Sequence, residues 1–571
     1  MFLASAGFVL WQNSQVVVLW DVTYLLDTAW RIALGQVPYR DFPLVHPPLT
    51  FVIQALLMRL FGRVYLVPVV YAAILNGLGT VIAWRILLRV LRWRIVSAYA
   101  ASFLLALPLI FLGIHGIYPQ PIYDCDCAFA ILVAIFLLQR LGPIPAGSRD
   151  WLRSWLFPLG TGAATVVPVF FKQNMGLPFL LAVAVGLLLL LLRNLVSDGR
   201  TTDHRGEGSS QVLLSVLAGM ILSAFFAAGL LEAWSGLDNY LHWTVHFAAE
   251  RRLPGLANLI DVYRQPSFLW TLPALGVGLV LLNSRSASRL WSRFGALLLC
   301  AAPFFGSLIY LLIQSDPDER ADNLLSLWPL ILVVSMLLAL FTLRRGLTLA
   351  RLTPFFVLAA IHGTFLSQQL WGSTYAIWAL LLILVASTLA ELPRTLRQIP
   401  LLLAAVISGT FLICGGLYAA SDERLNYIRL NSSEDEASSP EPLVHTTVSS
   451  LCGMAARGPY IGDFEELLRF ADREIPADDA ILLLPGEEPF YYASGRTPQF
   501  PVSIFDHTTD PYSPAELMQE ARKRNVRWVI VKTRLQSTED PLPAPDETLR
   551  LVEREFVLDR RLAGYEVYLR R

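Results

Sequence analysis

The residues best equipped for chemistry crowd into one polar stretch near the N-terminus. It runs from Trp20-Asp-Val-Thr-Tyr-Leu-Leu-Asp27 through Gly35-Gln-Val-Pro-Tyr-Arg-Asp-Phe42 to His46-Pro-Pro-Leu49. Asp21, Asp27, Arg31, Arg40, Asp41 and His46 lie there between one apolar segment and a long series of others. A connecting loop needs only a few turn residues, and ionisable groups at a membrane boundary are costly to place and mark function. Asp21 follows the first apolar segment directly, so its carboxylate is held at the membrane surface within reach of a lipid headgroup, where it can act as a general base. The competing reading is a solvated helix cap, a position that Asp often takes.

Three further groups extend the set. Asp124-Cys-Asp126 follows Tyr118-Pro-Gln-Pro-Ile-Tyr123. Two carboxylates at i and i+2 can share a divalent cation with a phosphate if the backbone is extended; otherwise they are a loop acid and a cap. Lys172, in Lys172-Gln-Asn174, is the single lysine before residue 523. An ammonium at that depth pairs with an anion, such as a lipid phosphate, or snorkels to water. Arg320, in an acidic cluster with Asp316, Asp318, Glu319 and Asp322, can hold a phosphate with its two-pronged guanidinium or sit solvated in a loop. In Leu241-His-Trp-Thr-Val-His246 the two histidines are four apart, but no His-Glu-x-x-His glutamate accompanies them. That stretch reads as an interfacial amphipathic helix with an aromatic belt.

The elements that position these groups are apolar spans. The chain has 571 residues, 55% of them apolar and only 16% charged, and its mean hydropathy is +0.52. That composition predicts a polytopic α-helical membrane protein. A formal net charge of zero gives no electrostatic case for nucleic acid, and five cysteines give no disulfide framework. Runs of about 17–25 apolar residues suffice to cross a bilayer. Thirteen are expected, near 3–20, 64–88, 95–114, 126–142, 154–171, 175–193, 211–232, 267–283, 294–314, 325–342, 354–370, 375–391 and 399–420. The run 47–61 is too short and reads as an interfacial helix.

Arginines set the orientation. Arg85, Arg89, Arg92 and Arg94 share one side with Arg140, Arg149 and Arg153, with Arg193, Arg200 and Arg205, and with three later basic loops ending at Arg397. Short basic loops face the cytoplasm. The acidic and aromatic loops 21–46, 115–125, 233–266 and 315–324 then lie outside, as does the C-terminus. The expected division is a transmembrane domain over 1–420 and a small extracytoplasmic α/β domain over 421–571. In the latter, helices near 463–473, 514–524 and 545–554 alternate with strands near 480–485, 527–532 and 565–569.

The stretch 20–49 resembles the first outer loop of the GT-C superfamily of membrane glycosyltransferases. It is most similar to the group containing protein O-mannosyltransferases, the aminoarabinose transferases of lipid A, and related bacterial proteins of the dolichyl-phosphate-mannose transferase type. The resemblance rests on Asp21, Gly35–Phe42 and His46-Pro-Pro-Leu49. Weaker support comes from Tyr123-Asp-Cys-Asp126, from Phe170-Phe-Lys-Gln-Asn-Met-Gly176, and from Leu482-Leu-Leu-Pro485 with Glu488–Arg496. It departs where many members have a second acid after the first, here Val22, and a lysine before the proline pair, here His46.

The resemblance implies a polyprenyl-phosphate-linked sugar as donor in the outer leaflet and a lipid, glycan or protein acceptor, transferred with inversion. Asp21 is then the base. Lys172, His46, Arg320 and Arg40 are the phosphate-binding set, Asp41 supports, and Asp124 and Asp126 are supporting acids or ligands of a divalent cation. Three other classes share parts of this pattern: a membrane transporter, an O-antigen ligase or polymerase-type enzyme, and a non-catalytic scaffold. The transporter reading is disfavoured because the charges cluster in outer loops and the spans are nearly free of them.

Overall fold

The computed structural model describes residues 1–92, 97–141, 155–197, 210–252, 260–283, 290–313, 327–366, 376–392, 398–419, 442–505, 509–536 and 546–571. Eighteen helices are described before residue 420, from α1 (Phe2–Asn13), α2 (Leu19–Ala33), α3 (Leu49–Phe61) and α4 (Leu66–Arg92) through α5 (Ala98–Ala106), α6 (Leu109–Leu112), α7 (Tyr123–Leu138), α8 (Phe157–Phe171) and α9 (Gln173–Ser197). After α10 (Ser210–Ser235) come α11 (Leu237–Leu241), a π-helical turn His242–Phe247, and α12 (Ala248–Arg252). The series closes with α13 (Phe268–Asn283), α14 (Leu290–Ile313), α15 (Trp328–Leu343), α16 (Leu349–Thr364), α17 (Trp378–Ala390) and α18 (Ile399–Ala419). This is a helical membrane protein. Among the described residues, five helices are long and apolar enough to cross a bilayer, and a further six apolar helices are shorter.

Two expected spans are broken. The run 3–20 divides into α1 and the start of α2, separated at residues 14–18. Twelve residues of α1 rise only about 18 Å, and the chain then turns because Asn13 donates to the carbonyls of Val9 and Pro119 at 3.1 and 2.6 Å. Asp21 therefore belongs to the first turn of a second helix rather than to the end of a first span. The run 95–114 is divided at Leu107–Pro108, where proline supplies no N–H.

Small residues let helices approach closely. A Cβ on Gly162 of α8 would lie 2.0 Å from the Val216 carbonyl of α10, and one on Gly219 would lie 2.0 Å from the Leu159 carbonyl. The crossing of α8 and α10 thus depends on two glycines, the packing rule of membrane interiors.

Beyond residue 441 the chain alternates as expected, with additions. A small hairpin pairs β1 (Leu443–His445) with β2 (Ala455–Arg457). It is followed by α19 (Tyr460–Glu474), β3 (Ala480–Leu484), α20 (Phe490–Ser494), α21 (Pro514–Lys523), β4 (Val526–Lys532), α22 (Asp546–Glu555), β5 (Phe556–Leu562) and β6 (Tyr565–Arg570). The four-stranded sheet has the order β3-β4-β6-β5, with β3 and β4 parallel and the other pairs antiparallel.

Side chains on this sheet alternate between two cores, as the period of a strand requires. Leu482, Leu484, Val529 and Val531 pack with Leu517 and Val552. Ile481, Leu483, Trp528 and Ile530 join a core that continues into Leu19, Leu26 and Phe51 of α2 and α3. The C-terminal α/β region and helices α2 and α3 therefore share one hydrophobic core. The membrane helices have their own, centred on residues such as Phe179, Phe356, Trp378 and Phe411.

Candidate active site

Helix α2 begins without a polar cap of its own, since Val18 precedes it in extended conformation. Asp21 is in its first turn, half-buried, and accepts a hydrogen bond from the Tyr118 hydroxyl at 2.6 Å. Tyr24 lies three residues on, and positions three apart face the same way on a helix. Its hydroxyl meets His46 Nδ1 at 2.9 Å. His46 is buried, and its ring stacks on Tyr123 with centroids 3.9 Å apart. Its carbonyl accepts from the Tyr39 hydroxyl at 2.7 Å. The following Pro47-Pro48 ends the segment at the start of α3.

Tyr123 also carries the Lys172 ammonium 5.2 Å from its ring centroid. Lys172 is the single extended residue between α8 and α9. The close turn there requires a glycine, because a Cβ on Gly176 would lie 2.4 Å from the Pro168 backbone. Lys172 and Asp124 are both buried and form an ion pair. The structure thus strings Asp21, Tyr118, Tyr24, His46, Tyr123, Lys172 and Asp124 into one neighbourhood. It offers a carboxylate at one end, a histidine in the middle, and an ammonium at the other.

Asp126 is not part of it. Both aspartates lie in the first turn of α7, and two residues along a helix rotate a side chain by about 200°. Asp124 meets Lys172, whereas Asp126 accepts from Thr50 at 2.6 Å and from Tyr71 at 3.0 Å, tying α7 to α3 and α4. The extended backbone that a shared divalent cation requires is absent, so the pair does not fit that role.

Arg40 is exposed and paired with Asp41 at 3.0 Å rather than turned to the Lys172 end. This pairing, ahead of Val37 N–H donating to Asp41 at 2.7 Å, holds the Asp41 carboxyl below its ordinary range. Asp41 thereby fixes the turn that carries Tyr39 at a φ of 69°. Arg320 lies outside the described residues. The segment Leu237–Arg252 closes over this side: Trp243 Nε1 donates to the Tyr39 carbonyl at 3.2 Å, and Gln173 donates to the Thr244 carbonyl at 3.1 Å. His242 and His246 are exposed on it.

Asp27 and Arg31 hold the C-terminal α/β region. Asp27 accepts from the backbone N–H groups of Tyr492 and Tyr491 at 2.8 and 3.4 Å. Burial pushes its carboxyl up to about 7, against the opposing pull of those N–H groups and Arg31. Arg31 donates to the Phe500 carbonyl at 2.5 Å and to Ser503 at 2.9 Å.

The tyrosines escaped the sequence reading. Tyr118 and Tyr123 flank the Pro-Gln-Pro-Ile segment, and Tyr24 follows Asp21 at helical spacing. These spacings were the available signal, but aromatic residues at a membrane interface are ordinarily belts.

No protein-family model matches this chain, and no curated protein matches it in sequence. Solved structures do. ArnT from Cupriavidus metallidurans bound to undecaprenyl phosphate superposes with a TM-score of 0.50 at 11% identity, covering 99% of this chain and 97% of that one. The oligosaccharyltransferase AglB from Archaeoglobus fulgidus, in complex with an inhibitory peptide and a dolichol-phosphate, gives 0.48 at 11% identity over 100% of this chain and 74% of its own. The first likeness, nearly end to end in both chains, shows that the fold is GT-C.

Proposed function

We propose that this GT-C-fold chain is an integral membrane glycosyltransferase. It moves a sugar from a polyprenyl-phosphate donor to a hydroxyl of a lipid, glycan or protein acceptor at the outer face, with inversion. The observation that carries the reading is the string Tyr24, His46, Tyr123 and Lys172, with Asp21 one helical turn before Tyr24 on α2. The ArnT likeness supports the donor class, since that protein was bound to undecaprenyl phosphate.

In this reaction Asp21 takes the acceptor's hydroxyl proton. The acceptor oxygen forms a bond to the anomeric carbon on the face opposite the phosphate. The bond from that carbon to the phosphate oxygen breaks, and its electron pair leaves with the lipid phosphate. Tyr118 orients the Asp21 carboxylate. Lys172, held beneath Tyr123, and the buried His46 are positioned to stabilise the departing charge. The expected division into a transmembrane unit over 1–420 and an extracytoplasmic unit over 421–571 belongs to the same proposal, supported by the alternation of basic loops.

The test is release of undecaprenyl phosphate from a series of undecaprenyl-phosphate-linked pentoses and hexoses by the purified full chain. Asp21→Asn should remain folded and lower turnover by about 10²–10⁴-fold, the usual worth of a placed general base. Near-wild-type turnover at equal membrane abundance ends the mechanism. For the topology, phosphatase and galactosidase fusions at residue 440 should give phosphatase activity alone.

A further inference from the structure

We infer that Gln536 is a positioning residue for Asp21: its carboxamide caps the first turn of α2 from the outer α/β region and sets the backbone on which that carboxylate sits. The inference rests on the proposed role of Asp21.

The first N–H groups of a helix have no partner within it, and a side chain just before the helix ordinarily supplies one. Val18 cannot. Instead the Leu19 N–H donates to Gln536 Oε1 at 2.7 Å, across 517 residues of chain. The other half of the same carboxamide, Nε2, donates to the Val17 carbonyl at 2.9 Å. Gln536 therefore grips both sides of the helix start, and it is buried.

Gln536 is itself fixed. Its backbone N–H donates to both carboxylate oxygens of Glu487 at 2.9 Å. Glu487 is fully buried and is pinned by Lys532, which also holds Glu488. The Glu487 carbonyl reaches back to α2, accepting from the Thr23 hydroxyl at 2.6 Å. Residues 17, 19 and 23 are thus tied to one buried knot, and Asp21 lies midway between the last two. Its backbone is set from the outer region, while its side chain is set by Tyr118 from the second outer loop. A base must sit within hydrogen-bond reach of its proton, and misplacement by about 1 Å costs up to about 10²-fold in rate.

The experiment uses the full chain in lipid nanodiscs. Hydrogen exchange at residues 19–22 is followed together with steady-state release of undecaprenyl phosphate from the donor that the wild type turns over. Gln536→Leu should raise exchange at Leu19–Val22 and lower kcat by about 10-fold with donor KM unchanged, a moderate share of the misplacement range. Adding Val18→Ser, which places a local cap on an already extended residue, should restore both. In the Asp21→Asn background Gln536→Leu should cause little further loss, because two residues acting through one group are non-additive. An equal loss with and without Asp21, or unchanged kcat despite faster exchange, overturns the positioning role. Unchanged exchange at Leu19–Val22 overturns the cap itself. Wild-type turnover in Asp21→Asn alone overturns the reading of Asp21 instead, and is seen separately from either.

Discussion

Two of the three lysines in this chain are buried, and their surroundings differ in one instructive way. Lys172, between two membrane helices, pairs with Asp124 and lies 5.2 Å from the Tyr123 ring centroid. Lys532, on an inner strand of the four-stranded sheet, meets two carboxylates, Glu487 and Glu488, and lies 5.5 Å from the Tyr460 ring centroid. Lys532 is over-supplied with negative charge. Burial pulls its ammonium down, but the two glutamates outweigh this and hold it above its ordinary value. Glu488 is pushed up, chiefly by burial, which Lys532 only partly offsets. A cation so enclosed serves as a staple. The ammonium at Lys172 shares the Tyr123 ring with His46, the side from which the proposed reaction would have the departing phosphate stabilised.

The largest expected effect tests the staple. Lys532→Met leaves two buried carboxylates without their counter-ion and should destabilise the protein by about 3–5 kcal/mol, the usual result of breaking a buried pair. Glu488→Gln should be far milder, because it removes the carboxylate whose charged form burial already disfavours. Thermal unfolding followed by tryptophan fluorescence reads both. Equal losses would show that Glu488 is needed in its charged form as much as Lys532 is, against the burial that disfavours that charge.

Next is the ammonium near the proposed donor. Lys172→Met alone would strand Asp124, so the informative variant is Lys172→Met with Asp124→Asn. It should fold nearly as the wild type does and lose about 10²–10³-fold in turnover, the worth of one electrostatic contact to developing charge. Full turnover in that double variant would place Lys172 beside Lys532 as a structural cation.

The contrast also explains what could be read from the sequence. Membrane class and the C-terminal α/β alternation follow from composition and periodicity, which act locally. Helix starts and strand centres accordingly agree at Ala480–Leu484 and Pro514–Lys523. The split at residues 14–18 was hidden, because the apolar run continues through it and the turn depends on Asn13 meeting Pro119. Asp21, His46 and Lys172 were legible as rare polar groups among apolar ones. Their connection through Tyr24 and Tyr123 and the docking role of Asp27 and Arg31 are contacts between segments far apart in sequence. No spacing encodes them.

Asp27 offers a smaller, pH-dependent effect. Its carboxyl titrates near 7 in the folded protein against 3.8 ordinarily, so the folded state keeps a proton that the unfolded chain gives up. That contribution to stability is fully present below the ordinary value and fades as pH rises through about 7. Lowering the pH from about 8 to about 5 should therefore raise the wild-type Tm relative to that of Asp27→Asn, since Asn can still accept from Tyr492 but cannot titrate. Parallel profiles for the two proteins would show that the C-terminal α/β region is held without this linkage.

The smallest effect concerns Arg40, the third cation expected at the phosphate. Unlike Lys172 it is exposed, and its partner Asp41 is engaged in holding the turn through Val37. Exposed ion pairs contribute little, because solvent screens them. Arg40→Gln should therefore leave turnover and donor KM as in the wild type. Asp41→Ala should be felt more, because it frees the turn that presents Tyr39, whose hydroxyl holds the His46 carbonyl at 2.7 Å and whose own carbonyl holds Trp243. The order of the two variants distinguishes a loop that binds phosphate from one that positions His46. A donor KM raised by Arg40→Gln and not by Asp41→Ala would reverse that order and return Arg40 to the phosphate-binding set.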